Sequence, residues 1–496
     1  MNSYYLTTIL ALPVIGLIII ALLPRDNVKA IKFTALGFTL ASFALSIAVF
    51  CLFDRSASAA GVMQFEENLP WIPAINCHYH LGVDGLSMPL VILMTFLGFL
   101  SVLISWKVQL RPREYFIWLL LLETSILGVF CSLDLVLFFL FWELELIPMY
   151  FLISIWGSGR KEYSSIKYVI YTLIGSAMML AGILTVYFTT GSFNMLEIGG
   201  MLAIAAPVIP LAGMFFLLFI GFAIKLPMFP FHTWLPDAHT DAPTAVSVIL
   251  AGALLKMGGY GMIRLCVSVL PDIARQAAPI LAALAIIGVL YGAAVTMRQT
   301  DLKRLIAYSS VSHMGYVLLG IFALTEISLT GAALQMFSHG IITGLLFAMV
   351  GLVYEKTHER NLNVLGGLAR QMPVIVAVFS IAGLASLGLP GTSGFAAEFI
   401  TFIGSFSSTA LPAAKIYTLL GVFGIVFTAG YILWMLQKVF YGPPKDKYKG
   451  VPDADNVEKV SIFCFVAVIM LVGIYPAILT NVIKLGIEPI MRLIGS

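Results

Sequence analysis

Apolar runs of about twenty residues follow one another along nearly the whole chain, and nothing else in the sequence constrains the fold as strongly. Fourteen are read, at roughly 4–23, 29–53, 85–106, 114–132, 134–156, 165–188, 208–232, 243–268, 277–297, 304–324, 328–354, 373–404, 412–440 and 458–480. Each is long enough to cross a bilayer as a helix, the form in which a segment satisfies its own backbone in hydrocarbon. A tail at 482–495 is expected along the interface. Charged residues make up only 11% of the 496, against about 25% in a soluble domain. The expected class is therefore an all-α polytopic membrane protein. The first run reads as an anchor, because no cleavage site follows it. A net charge of +3 is too small to argue for nucleic acid. Five scattered cysteines without a CxxC pair exclude a disulfide scaffold and a cysteine-held zinc or iron–sulfur site. GxGxxG and P-loop patterns are absent, so no nucleotide fold is supported.

Basic residues test the helix count, because they gather in cytoplasmic loops. Alternate loops hold 20 of the 28 Lys and Arg, in groups beginning with Arg25, Lys107, Arg160, Arg298, Lys356 and Lys438. The opposite side holds six: Arg55, Arg264, Arg275, Lys415, Lys484 and Arg492. Both termini are thus expected on the outer side, which requires an even number of spans.

The other two, Lys225 and Lys256, fall inside apolar runs, as do Glu123, Glu143, Glu145 and Glu398. A charge at mid-membrane costs about 2.5–3.5 kcal/mol on insertion scales. Such residues either pair to fix helix packing or mark a hydrated path for ions or protons. Their surroundings favour the path. Pro227 and Pro230 interrupt the helix beside Lys225, and irregular backbone at membrane depth belongs where it is buried or lines a wet cavity. Small residues flank Lys256 in Leu255-Lys256-Met257-Gly258-Gly259. A second break, at Leu389-Pro390-Gly391-Thr392-Ser393-Gly394-Phe395, precedes Glu398. The two Leu-Pro steps lie 163 residues and five helices apart, so the segments run in opposite directions, a pointer to inverted repeats.

Glu143 and Glu145 point about 200° apart on a helix and cannot share one site. One should face the bundle and the other a neighbouring helix, subunit or interface; the sequence leaves open which. His313 and His339, on consecutive helices with serines nearby, suit a proton relay near neutral pH, although a lone buried histidine is more often a packing residue. His232, Asp237, His239 and Asp241 lack a metal-binding pattern, and their prolines break any helix, so loop ordering is expected there. Cys77-His78-Tyr79-His80 reads as an exposed or subunit-facing segment of outer loop 54–84. Gly288-xxx-Gly292 and Gly340-xxx-Gly344 read as close helix packing.

Four separated phrases carry a resemblance over nearly the whole chain. They are Phe-Trp-Glu-Leu-Glu-Leu-Ile-Pro-Met-Tyr (141–150), Lys-Leu-Pro-Met-Phe-Pro-Phe-His-Thr-Trp-Leu-Pro-Asp-Ala-His (225–239), Tyr-Ser-Ser-Val-Ser-His-Met-Gly (308–315) and Leu-Pro-Gly-Thr-Ser-Gly-Phe (389–395). The chain resembles the antiporter-like membrane subunits of NADH–quinone oxidoreductase, respiratory complex I, and within them the M type. Glu398 stands where the L and N types usually carry lysine, and the chain ends without the L type's long lateral helix. The resemblance implies fourteen helices with two inverted five-helix repeats and two broken helices. The corresponding division is 1–113, 114–268 for the first repeat, 269–440 for the second, and 441–496. It implies a proton path from Glu143 paired with Lys225, through Lys256, to Glu398. His313 and His339 would lie along the axis, and Glu123 would be accessory. It also implies a non-redox subunit of a proton-translocating NADH:quinone oxidoreductase, with no cofactor or metal in this chain. NADH, FMN, iron–sulfur clusters and quinone would belong to other subunits. Neighbouring L and N subunits are implied, in a bacterial inner (plasma) membrane with both termini periplasmic.

Subunits of cation/proton antiporter complexes and membrane-bound hydrogenases look similar in the same motifs. A passive assembly subunit, whose charges only fix packing, is a reading from another class. Nothing specifically favours a quinone-binding redox subunit.

Overall fold

The computed structural model describes residues 4–495. Its long helices, numbered in chain order, are α1 (Tyr5–Leu22), α2 (Val28–Cys51), α3 (Ser87–Ile104), α4 (Pro112–Cys131), α5 (Leu135–Trp156), α6 (Lys161–Thr190), α7 (Leu211–Lys225), α8 (Trp234–Asp241) and α9 (Thr244–Val267). They continue as α10 (Pro271–Thr296), α11 (Leu302–Phe322), α12 (Glu326–Thr357), α13 (Pro373–Ser386), α14 (Ser393–Phe406), α15 (Ala414–Val439), α16 (Asn456–Ile474) and α17 (Ala477–Gly495). Among the described residues, twelve are long and apolar enough to cross a membrane: α1–α6, α9–α12, α15 and α16. The chain is a polytopic, essentially all-α membrane protein.

The count differs from fourteen continuous spans because two runs are divided. At 15, 14 and 14 residues, α7, α13 and α14 reach only about 21–22 Å, short of a hydrocarbon core of about 30 Å. Pro227 follows the end of α7, and Pro390 stands between Gly388 and Gly391, both at positive φ, in the turn from α13 to α14. The segment after the first break is not a loop, as its prolines suggested. Pro236 lies in the first turn of α8, where its missing N–H leaves no helical bond unmade.

A two-stranded antiparallel hairpin, β1 (Gln64–Ile72) and β2 (Cys77–Val83), stands where an exposed outer loop was expected. Its turn passes through Asn76 in the left-handed region, which asparagine tolerates. Cys77 and His80 are buried; His80 Nε2 lies 2.7 Å from Glu66. Glu67 is buried too, and its carboxylate accepts the N–H groups of Leu6 (2.8 Å) and Thr7 (3.2 Å) and the Thr7 hydroxyl at the start of α1. One side of the hairpin packs inward through Glu67, Cys77 and His80, while Leu69, Trp71 and Ile72 of β1 stay exposed.

Two junctions repeat. Asp134 caps α5 and bridges Asn194; Asp301 caps α11 and bridges Asn361, each residue standing 167 places after its counterpart. Close packing is present at Gly340, where a Cβ would lie 2.5 Å from the Gly252 carbonyl oxygen, and at Gly292, 2.7 Å from Ser312 N. Gly288, expected to pack as tightly, has nothing nearer than 4.0 Å.

The tail expected at 482–495 begins earlier, as α17, because Pro476 ends the preceding helix. Leu479, Val482, Ile483, Ile487 and Ile490 bury one of its faces. It crosses Gly85 so closely that a Cβ there would stand 2.0 Å from the Val482 carbonyl oxygen. Gly85→Val is expected to cost about 1–3 kcal/mol through overpacking and to free α17. Limited proteolysis of the C-terminus and a thermal melt check both.

Where α3, α12 and α16 end or begin together, Lys107 Nζ meets Glu458 (2.5 Å), Glu355 (2.8 Å) and Asp455 (2.9 Å). Burial works against the Lys107 charge, but these carboxylates hold its pKa above the ordinary lysine value. Burial would likewise raise Asp455, yet the Glu458 N–H and Lys107 hold it below the usual carboxylate range. The lysine contribution is complete below its ordinary pKa and is lost only as pH rises through the raised value. The aspartate contribution is present above its ordinary pKa and is lost as pH falls through the lowered one. Lys107→Met should therefore lower the melting temperature at neutral pH, by an amount that shrinks as the medium is acidified below about pH 4. Melts of both proteins across pH 3–8 measure it.

Candidate functional site

Lys225 is the last residue of α7, fully buried where the break begins. Its ammonium is ion-paired with Glu145 Oε1, itself fully buried. Tyr168 of α6 donates to the other Glu145 oxygen at 2.6 Å and accepts from Lys225 at 3.2 Å. The rings of Trp142 and Tyr168 lie 5.5 and 5.4 Å from Nζ. Each partner thus has its charge compensated and a further hydrogen bond to Tyr168, which helps make a buried pair tolerable.

The expected partner was Glu143, and the structure pairs Lys225 with Glu145 instead. The reason is helix phase. The regular helical pattern of α5 is interrupted at Glu145, three residues before Pro148, which cannot donate to the Leu144 carbonyl. The interruption turns Glu145 towards α7. Glu143, about 200° round the helix, is half-buried, with Oε1 lacking any partner among the described residues. It remains within electrostatic reach of Lys225.

Lys256, fully buried on α9, donates to the Ala251 carbonyl and, at 2.8 Å, to His339 Nδ1 of α12. A π-helical stretch, Leu250–Leu254, contains that carbonyl. Wider turns of this kind are frequent at functional sites. The His339 and His313 rings are 5.7 Å apart between centroids. His313 Nδ1 lies 3.3 Å from Glu398 Oε1 on α14, and Nε2 lies 3.3 Å from Ser386 Oγ at the end of α13. Between them is a cavity of about 10 Å³, lined by His313, Gln335, His339, Ser386 and Glu398 among others, and sized for about one water molecule. Lys256, His339, His313 and Glu398 thus form one polar line. The Lys225 break packs against it, since a Cβ on Gly258 would be 2.6 Å from the Phe222 carbonyl oxygen and 2.7 Å from Leu226 N.

Glu123 does not join this line. It is buried on α4 against Gly98 of α3, and its Oε1 has no partner among the described residues. Tyr168 belongs to no motif; its one signal in the sequence is a tyrosine on the buried face of α6. Two charges stand elsewhere than the sequence suggests. Arg264, assigned to an outer loop, is buried on α9 and paired with Asp84 at 2.7 Å. Lys303, assigned to an inner loop, is buried and donates to the Ala242 carbonyl at 2.6 Å. Both lie within a turn or two of helix ends, where hydropathy windows are least decisive. His239 is buried and stacked on Phe347 at 4.4 Å; Asp237 is held by Lys167 at 2.7 Å, and Asp241 accepts from Ser164 at 2.6 Å. Among the described residues, no three His, Cys, Asp or Glu side chains converge as a metal would require.

Residues 132–428, which contain this whole line, match the family described as the membrane part of NADH:quinone oxidoreductase and the Mrp antiporter. The chain belongs to that family. It is 41% identical over 485 residues to NAD(P)H-quinone oxidoreductase chain 4 1 of Picosynechococcus sp., spanning 96% of this chain and 90% of the relative. Its fold matches a chain in the structure of respiratory complex I from Thermus thermophilus with bound NADH, at a TM-score of 0.88 and 28% identity, over 99% of this chain and 100% of that one. A chain of the Mrp complex from Dietzia sp. shares the fold alone, at a TM-score of 0.83 and 19% identity over 100% and 99% of the two chains. Within the family the chain is of the antiporter-like M type. Its buried charges form ion-pair and hydrogen-bond networks consistent with proton translocation.

Removing one partner of the Lys225–Glu145 pair leaves the other uncompensated. Glu145→Gln should cost about 3–5 kcal/mol, and Glu145→Gln with Lys225→Met should recover part of that loss. Glu143→Gln should cost less than Glu145→Gln. Melts of the purified complex rank the three; a larger effect from Glu143→Gln would reverse the assignment.

Proposed function

We propose that the chain translocates protons across the inner membrane of a bacterium, as the M-type antiporter-like subunit of an NAD(P)H–quinone oxidoreductase. The line Lys256–His339–His313–Glu398, with the Lys225–Glu145 pair packed beside it, carries the reading. Counting each broken run as one crossing gives fourteen, with both termini outside; without the buried Lys303 and Arg264, the loop Lys and Arg still divide 19 to 5, which supports that orientation. The repeats are residues 114–268 and 269–440, inverted with respect to each other. The junctions 167 residues apart and the paired breaks support this division. By family resemblance, L and N subunits are the neighbours. NADH, FMN, iron–sulfur clusters and quinone are handled by other subunits.

In this reading Glu145 and Lys225 hold each other charged while they are paired. A charge arriving from a neighbouring subunit draws Glu145 away, with Glu143 placed to feel the same field. Lys225 then gives up its proton more readily, and Lys256 is the next site. An imidazole can take a proton at one ring nitrogen and release one from the other, so His339 and His313, standing between Lys256 and Glu398, can pass a proton to Glu398 and the outer side. Against 100 mV, one charge transferred stores about 2.3 kcal/mol, and the renewed ion pair opposes its return. Glu123, off the line, is an accessory group.

The test is pumping by the assembled complex in inverted vesicles, followed with a pH-sensitive dye. Lys225→Met, Lys256→Met and Glu398→Gln should each reduce the gradient severalfold, and quinone-linked electron transfer should fall with it. Normal gradients in all three variants would sink the pathway and leave an assembly role.

A further inference from the structure

Arg264 and Asp84 take no part in the line of proton sites, yet each is only 6% exposed. Their ion pair spans 2.7 Å. Asp84 is fixed from the other side as well. Its Oδ1 accepts the N–H groups of Leu86 (3.1 Å) and Ser87 (2.9 Å) at the start of α3, and its own N–H donates to Ser87 Oγ at 3.0 Å. Arg264 lies in the second π-helical stretch of α9, Met262–Val267. It stands eight residues beyond Lys256 on the same helix, roughly 12 Å towards the other end. Tyr260 stands midway, fully buried, its ring 5.4 Å from the guanidinium carbon and its hydroxyl donating to the Phe130 carbonyl at 3.5 Å. Gly261 is closed over by Phe222, whose ring would lie 2.4 Å from a Cβ.

Two directions lead away from Lys256. One leads sideways to His339 Nδ1, 2.8 Å away. The other leads along α9, past an already bonded tyrosine, to a guanidinium. Arginine does not deprotonate in proteins, so it cannot serve as a stepping stone, and its fixed charge repels an approaching proton. Arginines exclude protons in selective pores by the same means. We infer that Arg264, held by Asp84, is an insulating charge that closes the outer end of α9 to protons and leaves the lateral route through His339 as the way out of Lys256. The inference rests on the reading of Lys256 as a proton carrier. Asp84 is a positioning residue: it fixes the guanidinium and makes its buried charge tolerable.

The test is passive proton conductance and the proton-to-electron ratio of the intact complex in liposomes, with assembly checked on native gels. Arg264→Gln with Asp84→Asn removes both charges together. It should raise conductance severalfold and lower the ratio while quinone-linked electron transfer persists. Asp84→Asn alone keeps the arginine's charge and should leak less than the double variant, whereas a role in packing only would make the two leak equally. Adding Lys256→Met to the leaky variant should return conductance to the parent value. If the double variant does not assemble, Arg264→Lys replaces it. A lysine can release its proton, so conductance should then climb with alkaline pH while the parent stays flat. Parent-like conductance in the assembled double variant overturns the inference, as does a pH-independent parent-like value in Arg264→Lys. Unchanged pumping in Lys256→Met alone would instead remove the proton-carrier reading on which it stands.

Discussion

An ammonium group held away from water needs a counter-charge or well-placed dipoles to compensate it, and the centre of this protein is arranged around that need at Lys225. Glu145 supplies the charge, Tyr168 occupies the remaining carboxylate oxygen, and two aromatic rings face the ammonium. For the pair to meet, α7 has to stop at Lys225 and α5 has to lose its regular pattern at Glu145. Both interruptions are written into the chain as prolines a few residues downstream. The packing of Gly258 against the end of α7 then sets the distance to the second lysine.

The second lysine is held differently. Lys256 has no carboxylate beside it; a main-chain oxygen and a neutral histidine nitrogen receive its hydrogen bonds. A dipole compensates an ammonium less completely than a carboxylate does, so the two lysines sit in electrostatically different sites. In the path proposed above, displacing the first lysine's partner is what switches a transfer between them. Glu398, reached through two imidazoles, closes the series with an acid of the opposite charge type.

Much of this was legible in the residues. A lysine followed by Leu-Pro, and a glutamate preceded by Leu-Pro-Gly, announced both breaks and both charges, because proline and buried charge carry large, local penalties. The choice between Glu143 and Glu145 was not legible, since it depends on how far a helix turns at an irregularity. Arg264 and Lys303 escaped for another reason: at the end of an apolar run a charge reads equally as loop or core until the neighbouring helices are in place. The hairpin at 64–83 had no apolar pattern to betray it. Its burial comes from contacts with α1 and Asp134 that lie distant in sequence.

The tie between Glu67 and the first turn of α1 has a consequence for the chain's outermost helices. A carboxylate 5% exposed takes its hydrogen bonds from Leu6 and Thr7, some sixty residues earlier. Helix α1 is therefore more than a peripheral strut added to a self-sufficient bundle, because stripping it away would leave an orphaned anion inside the protein. Shortened versions of this fold could dispense with such a helix only by neutralising the hairpin at the same step, which couples two changes that sequence distance alone would treat as independent.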